Sequence, residues 1–176
     1  SNSPTSGVAI GAYASTEGHP YAFAKGGPAT ASRWGEEVRR IDFDNNEGSY
    51  STVAWAGHCN NNVGATMTQR LYLNNAGGEQ LTLKVGTLMG FTIHVTAYET
   101  STQNIARWRI EGAIVPLGET VCAISSSVEK VTDSGTLEWD VFVEAGDGVL
   151  VLWTKTPADA GVQWVARGEI EEVPIV

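Results

Sequence analysis

The sequence predicts an all-β protein, with a short glycine-punctuated β segment leading into an antiparallel β-sandwich. Three observations carry that prediction. Apolar residues recur at alternate positions in run after run, turn-forming residues separate the runs, and no window shows an apolar period of 3.6 residues. Period two marks a strand because successive side chains leave opposite faces of an extended backbone.

The leader comes first. Between Gly7 and Lys25, small residues alternate (Ala12 with Ala14, Ala22 with Ala24), and Gly11, Gly18 and Gly26 punctuate them. Strands this short, carrying mostly alanine, bury too little apolar area to offset their own ordering entropy. Stacked copies of the backbone would supply the missing order, so the leader is expected to be intertwined with sister chains. Gly11 and Gly18 are then the trimer-core positions, where backbones come too close for a side chain. A flexible Gly/Ala-rich linker is the plain alternative. Pro28 to Ser32 reads as a hinge, which divides the chain into a trimerising segment, 1–34, and a head, 35–176.

From Gly35 the texture becomes regular. Ile41 and Phe43 share a face, as do Val53 and Trp55, and Met67, Gln69, Leu71 and Leu73 line one side of the next strand. Leu81, Leu83 and Val85 follow the turn from Asn74 to Gly78. Phe91, Ile93, Val95 and Ala97 oppose Thr92, His94 and Thr96, the split expected of a sheet with one covered and one wet face. Ala106, Trp108, Ile110 and Gly112 alternate with Arg107, Arg109 and Glu111. Leu137, Trp139, Val141 and Val143 alternate with Glu138, Asp140, Phe142 and Glu144. Val149 to Trp153 is apolar throughout, which fits a strand buried on both faces or one at a subunit contact. Val162, Trp164, Ala166 and Gly168 complete the series. Turns are expected at Asp133 to Gly135, Ala145 to Gly148 and Asp159 to Gly161.

Two family resemblances follow from these residues. Ala9-Ile10-Gly11, Ala14 and Gly18 resemble the head repeats of trimeric autotransporter adhesins, a pattern near A-I-G-x-x-A-x-A-x-G that also recurs in phage tail fibres. From about residue 36 onward, the strand order is similar to the distal head domain of bacteriophage tail-fibre and receptor-binding proteins. The residues concerned are Trp139-x-Val-x-Val143, Gly148 with its aliphatic strand, and Trp164-Val-Ala166 before Glu172. Pro157 to Gly161 departs from the Thr-Gly step usual before the last tryptophan strand. The resemblance implies a homotrimeric virion protein, extracellular, whose head binds a bacterial surface receptor, either glycan or protein. A bacterial trimeric adhesin fragment is the alternative, and a sugar-cleaving tailspike depolymerase a third reading. Trp153 and Phe142, apolar on a face that should be wet, fit a contact between heads or scattered surface aromatics.

The chemistry of the chain is sparse. A net charge of −9 repels nucleic acid and anionic membranes, no apolar run approaches the ~18 residues of a spanning helix, and the start Ser1 to Pro4 lacks a signal peptide's basic and apolar regions. Cys59 and Cys122 are expected as reduced, buried thiols, with a single bridge between them the alternative. His19, His58 and His94 have no metal-ligand spacing, and His58 and Cys59 would point to opposite faces. Asp42 to Gly48 begins like a calcium loop, but Glu47 and Val53 occupy its glycine and bidentate positions. Ser127 and Lys130 match S-x-x-K by chance, since that chemistry needs a helix. Glu138, Asp140 and Glu144 read as a solvated strand face. The sequence therefore predicts no enzyme, no cofactor and no metal. Receptor contacts are expected from three loops: Gly57 to Gly64 (Asn60, Asn61, Asn62), Glu99 to Asn104 with Tyr98 (Gln103, Asn104), and Lys155 to Gly161. Their amides and aromatic rings suit sugar hydroxyls.

Overall fold

The computed structural model describes residues 7–10, 23–25, 37–43, 46–61, 64–73, 78–117, 122–135 and 138–175. Among these residues every regular element is a strand, so the all-β prediction holds. In chain order the strands are β1 (Val8–Ile10), β2 (Phe23–Lys25), β3 (Glu37–Phe43), β4 (Asn46–Asn61), β5 (Met67–Leu73), β6 (Leu81–Thr82), β7 (Thr87–Glu99), β8 (Ile105–Pro116), β9 (Cys122–Asp133), β10 (Asp140–Gly146), β11 (Val149–Thr156) and β12 (Ala160–Pro174). A large layer runs β1-β2-β3-β4-β12-β7-β8-β9. The small layer centres on β11, which pairs with β10 on one side and with β5 and β6 on the other. β5 joins the layers, because its last residues also pair with β4 at Trp55 and Ala56.

The alternation read from sequence is what packs the core. In the large layer Ala166, Val95 and Trp108 form one cross-strand row, and Gly168, Ile93 and Ile110 the next. All face inward against Leu71, Leu73, Val141, Leu150 and Leu152 of the small layer. Three indoles hold the layers together: the Trp164 ring lies 5.6 Å from that of Trp108 and 6.0 Å from that of Trp139. Rings this large need small neighbours. A Cβ on Gly168 would come within 2.6 Å of the Trp55 ring, so only glycine fits beside it.

Turn chemistry closes the hairpins as expected. Asp147 (φ 50°) and Gly148 (φ 73°) give β10–β11 the left-handed pair of a two-residue hairpin. At Asp133 to Gly135 the Asp133 carboxylate accepts from the Gly135 N–H at 2.9 Å. Val85 departs from the predicted face. The chain turns at Gly86 (φ 80°), and Val85 is exposed while Leu81 and Leu83 are buried.

The described part of the leader is strand, as its alternation predicts. β1 pairs in parallel with β2, and β2 in parallel with β3, with Val8 beside Phe23 and Phe23 beside Glu37. The described part of the leader thus extends its own chain's large layer as a parallel ladder stepping by 15 and then 14 residues. Ala24 is fully buried there. Period-two patterning locates such strands but does not say whose edge they meet. Here β1 and β2 find pairing partners within their own chain, in a ladder that ends on the edge of β3. Gly11 and Gly18 lie outside the described residues.

Other readings resolve by placement. Cys59 is a free buried thiol, 3.6 Å from the Met67 sulfur, while neighbouring His58 is exposed on the opposite face. Ser127 and Lys130 sit three apart on strand β9, hence on opposite faces. Residues 44 and 45, at the tip of the calcium-like segment, lie outside the described residues, and among the described residues no group of three acidic, His or Cys side chains could hold a metal. No helix of the described residues is long and apolar enough to cross a membrane.

Candidate functional site

The two outer faces of the molecule are built from different residues. On the large layer the outward positions carry Thr92, His94, Thr96, Arg107, Arg109 and Glu111, with Arg109 paired to Glu111. On the small layer, Phe142 of β10 stands directly across from Trp153 of β11, and Trp153 across from Arg70 of β5. β11 is apolar on both faces because it is the central strand of this layer. Its inward Leu150 and Leu152 are fully buried, and outward Val151 is nearly so, whereas outward Trp153 is only half-buried.

Phe142 and Trp153 stack with ring centroids 6.0 Å apart and planes 11° from parallel. The Arg70 guanidinium lies 4.8 Å from the Trp153 ring centre, and the Lys155 ammonium 5.5 Å from that of Phe142. The Trp153 indole N–H donates to Glu144 at 2.8 Å. Asp140 and Lys155, adjacent in register, approach to 3.8 Å. The result is a ladder of two aromatic rings flanked by cations and carboxylates, an arrangement that offers apolar area and directional polar contacts together.

A cavity opens on each side of this ladder. The first, of about 610 Å³, takes Thr66, Thr68 and Lys155 from the small layer, Trp108 from β8, Lys130 from β9, and Glu138, Trp139 and Asp140 from the start of β10. The second, of about 510 Å³, is bounded by Arg70 and Trp153 on one side and by Ile124 and the β10–β11 hairpin on the other. On β9, Val128 lines the first cavity and Ile124 the second, and both side chains remain exposed.

The predicted contact loops meet at one end of the large layer. β12 pairs at Gly161 with Asn60, and at Gln163 with Tyr98 and His58. Asn60 and Tyr98 are exposed there. Asn61 is not a surface contact, which corrects its reading as a receptor-binding residue. It is fully buried, and its amide nitrogen bonds the carbonyls of Ala65, Thr156 and Pro157 at 2.8, 3.0 and 2.7 Å. Those bonds fix the two segments that bring Thr66 and Lys155 to the first cavity. Asn62 lies outside the described residues. Gln103 is exposed with φ at 59°, and Asn104 is half-buried in a turn closed by its carbonyl accepting from the Glu99 N–H at 3.0 Å. The buried Glu99 carboxylate accepts from Ser101 and Thr102. This turn uses its polar groups on itself.

Sequence reading missed Trp108, Trp139, Thr66 and Thr68 as site residues, since each follows its strand's core or surface pattern. Only the misplaced aromatics, Phe142 and Trp153, signalled this face in advance.

No protein-family model and no curated protein matches the sequence. Among solved structures, the chain is similar to the tailspike protein gp49 of Acinetobacter baumannii bacteriophage Fri1, a capsular polysaccharide depolymerase. The identity is 10% and the TM-score 0.41, over 76% of this chain and 19% of that one. It is also similar to the tailspike protein of Acinetobacter baumannii phage AM24, at 8% identity and TM-score 0.30, over 72% of this chain and 26% of that one. The chain therefore spans about a fifth to a quarter of the length of those tailspikes. The expectation that this chain is not an enzyme is withdrawn, because the gp49 structure is that of a depolymerase.

Proposed function

We propose that this chain is the host-attachment head of a phage tail protein, a fibre or tailspike, and that it binds a bacterial surface glycan through the outer face of its small layer. The carrying observation is the Phe142–Trp153 ladder with Arg70 and Lys155 beside it. Sugar rings present apolar C–H faces edged by hydroxyls, and aromatic side chains ringed by cations, carboxylates and threonines answer both. The strand-order resemblance to tail-fibre heads supports the same reading. On it, the protein sits in the virion and acts outside the cell as a homotrimer. Three weak sites on one tip then bind a repetitive polysaccharide far more tightly than one.

The test is binding of the full chain to an array of purified bacterial surface polysaccharides, followed by Trp153→Ala. Retention of a bound polysaccharide should fall at least about tenfold in the variant, the effect of losing one aromatic anchor. Unchanged retention would remove the small-layer face from the reading.

A second reading has its own observation. Glu138 and Asp140 both line the first cavity, and a pair of carboxylates can cleave a glycosidic bond as acid and as base or nucleophile. On this reading the face cuts the glycan it holds. New reducing ends from a bound polysaccharide, abolished in Glu138→Gln, would establish it.

A further inference from the structure

We propose that the free edge of β9 pairs with the same edge of a second copy of this chain, antiparallel and two-fold symmetric about Ser126. β9 ends the large layer and, among the described residues, pairs as a strand with β8 alone. Through residues 122–129 the other side of this 12-residue strand leaves its backbone groups without a strand partner. Such an edge invites another strand, and proteins blunt it with charges, proline, bulges or short length. The far half of β9 is blunted in this way. A bulge sets Val131 out of register between Lys130 and Thr132, and Glu129, Lys130 and Asp133 bring charge. The near half, Cys122-Ala-Ile-Ser-Ser-Ser-Val128, has none of these devices: it is uncharged, free of proline and paired to β8 without a break. Ile124 and Val128 stand exposed on it. By contrast β10, at the edge of the small layer, is seven residues long and carries Asp140 and Glu144.

The occupant follows from the symmetry of this run. Unbroken pairing with β8 extends from Cys122 to Lys130, a stretch whose centre is Ser126. Around that centre, Ile124-Ser-Ser-Ser-Val128 has the same chemistry read in either direction. Laid antiparallel on a copy of itself, it sets Ile124 opposite Val128, Ser125 opposite Ser127, and Ser126 opposite Ser126. Two pairs of β-branched side chains then flank a serine centre, the kind of cross-strand pair that stabilises an antiparallel ladder. Charges stay apart as well, since Glu129 meets Ala123 and Lys130 meets Cys122. A slip of one residue would set Ile124 against Ser127 or Glu129 and lose the match. A foreign strand gains nothing from this symmetry, whereas a second copy uses all of it, as a two-fold contact requires. A two-fold axis does not operate inside a three-fold ring. The contact therefore goes beyond the homotrimer reading and joins heads of separate trimers.

The experiment is sedimentation of the intact chain over a range of concentrations, with Ser126→Lys and Thr132→Lys beside it. Both substitutions fall at exposed positions, so the fold should survive them. The intact chain should form a reversible species of twice the mass of its dilute form. Ser126→Lys brings two ammonium groups together across the axis and should weaken that doubling at least about tenfold. Thr132→Lys, on the same strand but beyond the bulge, should leave it unchanged. Backbone hydrogen exchange over residues 123–129 should slow with concentration in the intact chain and not in Ser126→Lys. No doubling at any concentration, equal loss in the two variants, or exchange over 123–129 that ignores concentration would overturn the pairing. Attachment is read separately, from polysaccharide retention by the intact chain, so either reading can fail while the other stands.

Discussion

The outer faces of the two layers hang on one core but obey different rules. On the large layer, polar outward positions alternate with buried ones through the middle of β7, with Thr92, His94 and Thr96 between Phe91, Ile93, Val95 and Ala97, and the outward apolar residues, such as Val165 and Tyr98, form no ring stack. On the small layer the alternation is kept in geometry and broken in chemistry, since Phe142 and Trp153 occupy outward positions. A face that needs only solubility is satisfied by threonine, arginine and glutamate. A face that places a stacked aromatic pair in water, and borders it with two cavities, is built to be covered by something.

Several substitutions would break or sharpen this contrast. Trp164→Ala strikes the core both faces depend on, and should cost about 3–5 kcal/mol and abolish any difference between them. Urea unfolding would read that as a large fall in midpoint with an unchanged slope. Next in size is Trp153→Ala, which removes the stack with Phe142 and the Arg70 contact. It should cost about 1–2 kcal/mol, while Arg109→Ala on the opposite face should stay within about 0.5 kcal/mol. Equal costs for the two would mean that the aromatic ladder contributes nothing beyond ordinary surface. The smallest effect belongs to Tyr50, at the edge of the large layer's outer face. Burial first, and then the Glu169 carboxylate, raise its phenol above the ordinary value of 10.0. The unfolded chain releases that proton first, so stability is unaffected below about pH 10 and declines above it. Tyr50→Phe should remove its share of that decline, seen as a shallower loss of urea midpoint between pH 9 and 11.

Fold class and core were legible in the sequence because each rests on local periodicity. Phe91 to Ala97 and Val162 to Gly168 each showed their buried face within seven residues, and the Asp147-Gly148 turn was written in two. The partner of a strand is another matter. β1 pairs in parallel with β2, and β2 with the edge of β3, and nothing in three-residue strands specifies those partners. The site was less legible still. Its first cavity draws Thr68 from β5, Trp108 from β8, Lys130 from β9, Asp140 from β10 and Lys155 from β11, five separate strands that local periodicity does not bring together. Asn61 shows the opposite error: an asparagine in a polar loop suggested an exposed ligand contact, but its side chain is buried and its amide nitrogen bonds the backbone carbonyls of Ala65, Thr156 and Pro157.

The most direct measurement compares retention of one bound surface polysaccharide by the intact chain, by Trp153→Ala and by Arg109→Ala. Attachment through the small layer predicts a loss of about tenfold or more for Trp153→Ala and none for Arg109→Ala. Full retention by Trp153→Ala, or a loss confined to Arg109→Ala, would place attachment on the other face and contradict the account.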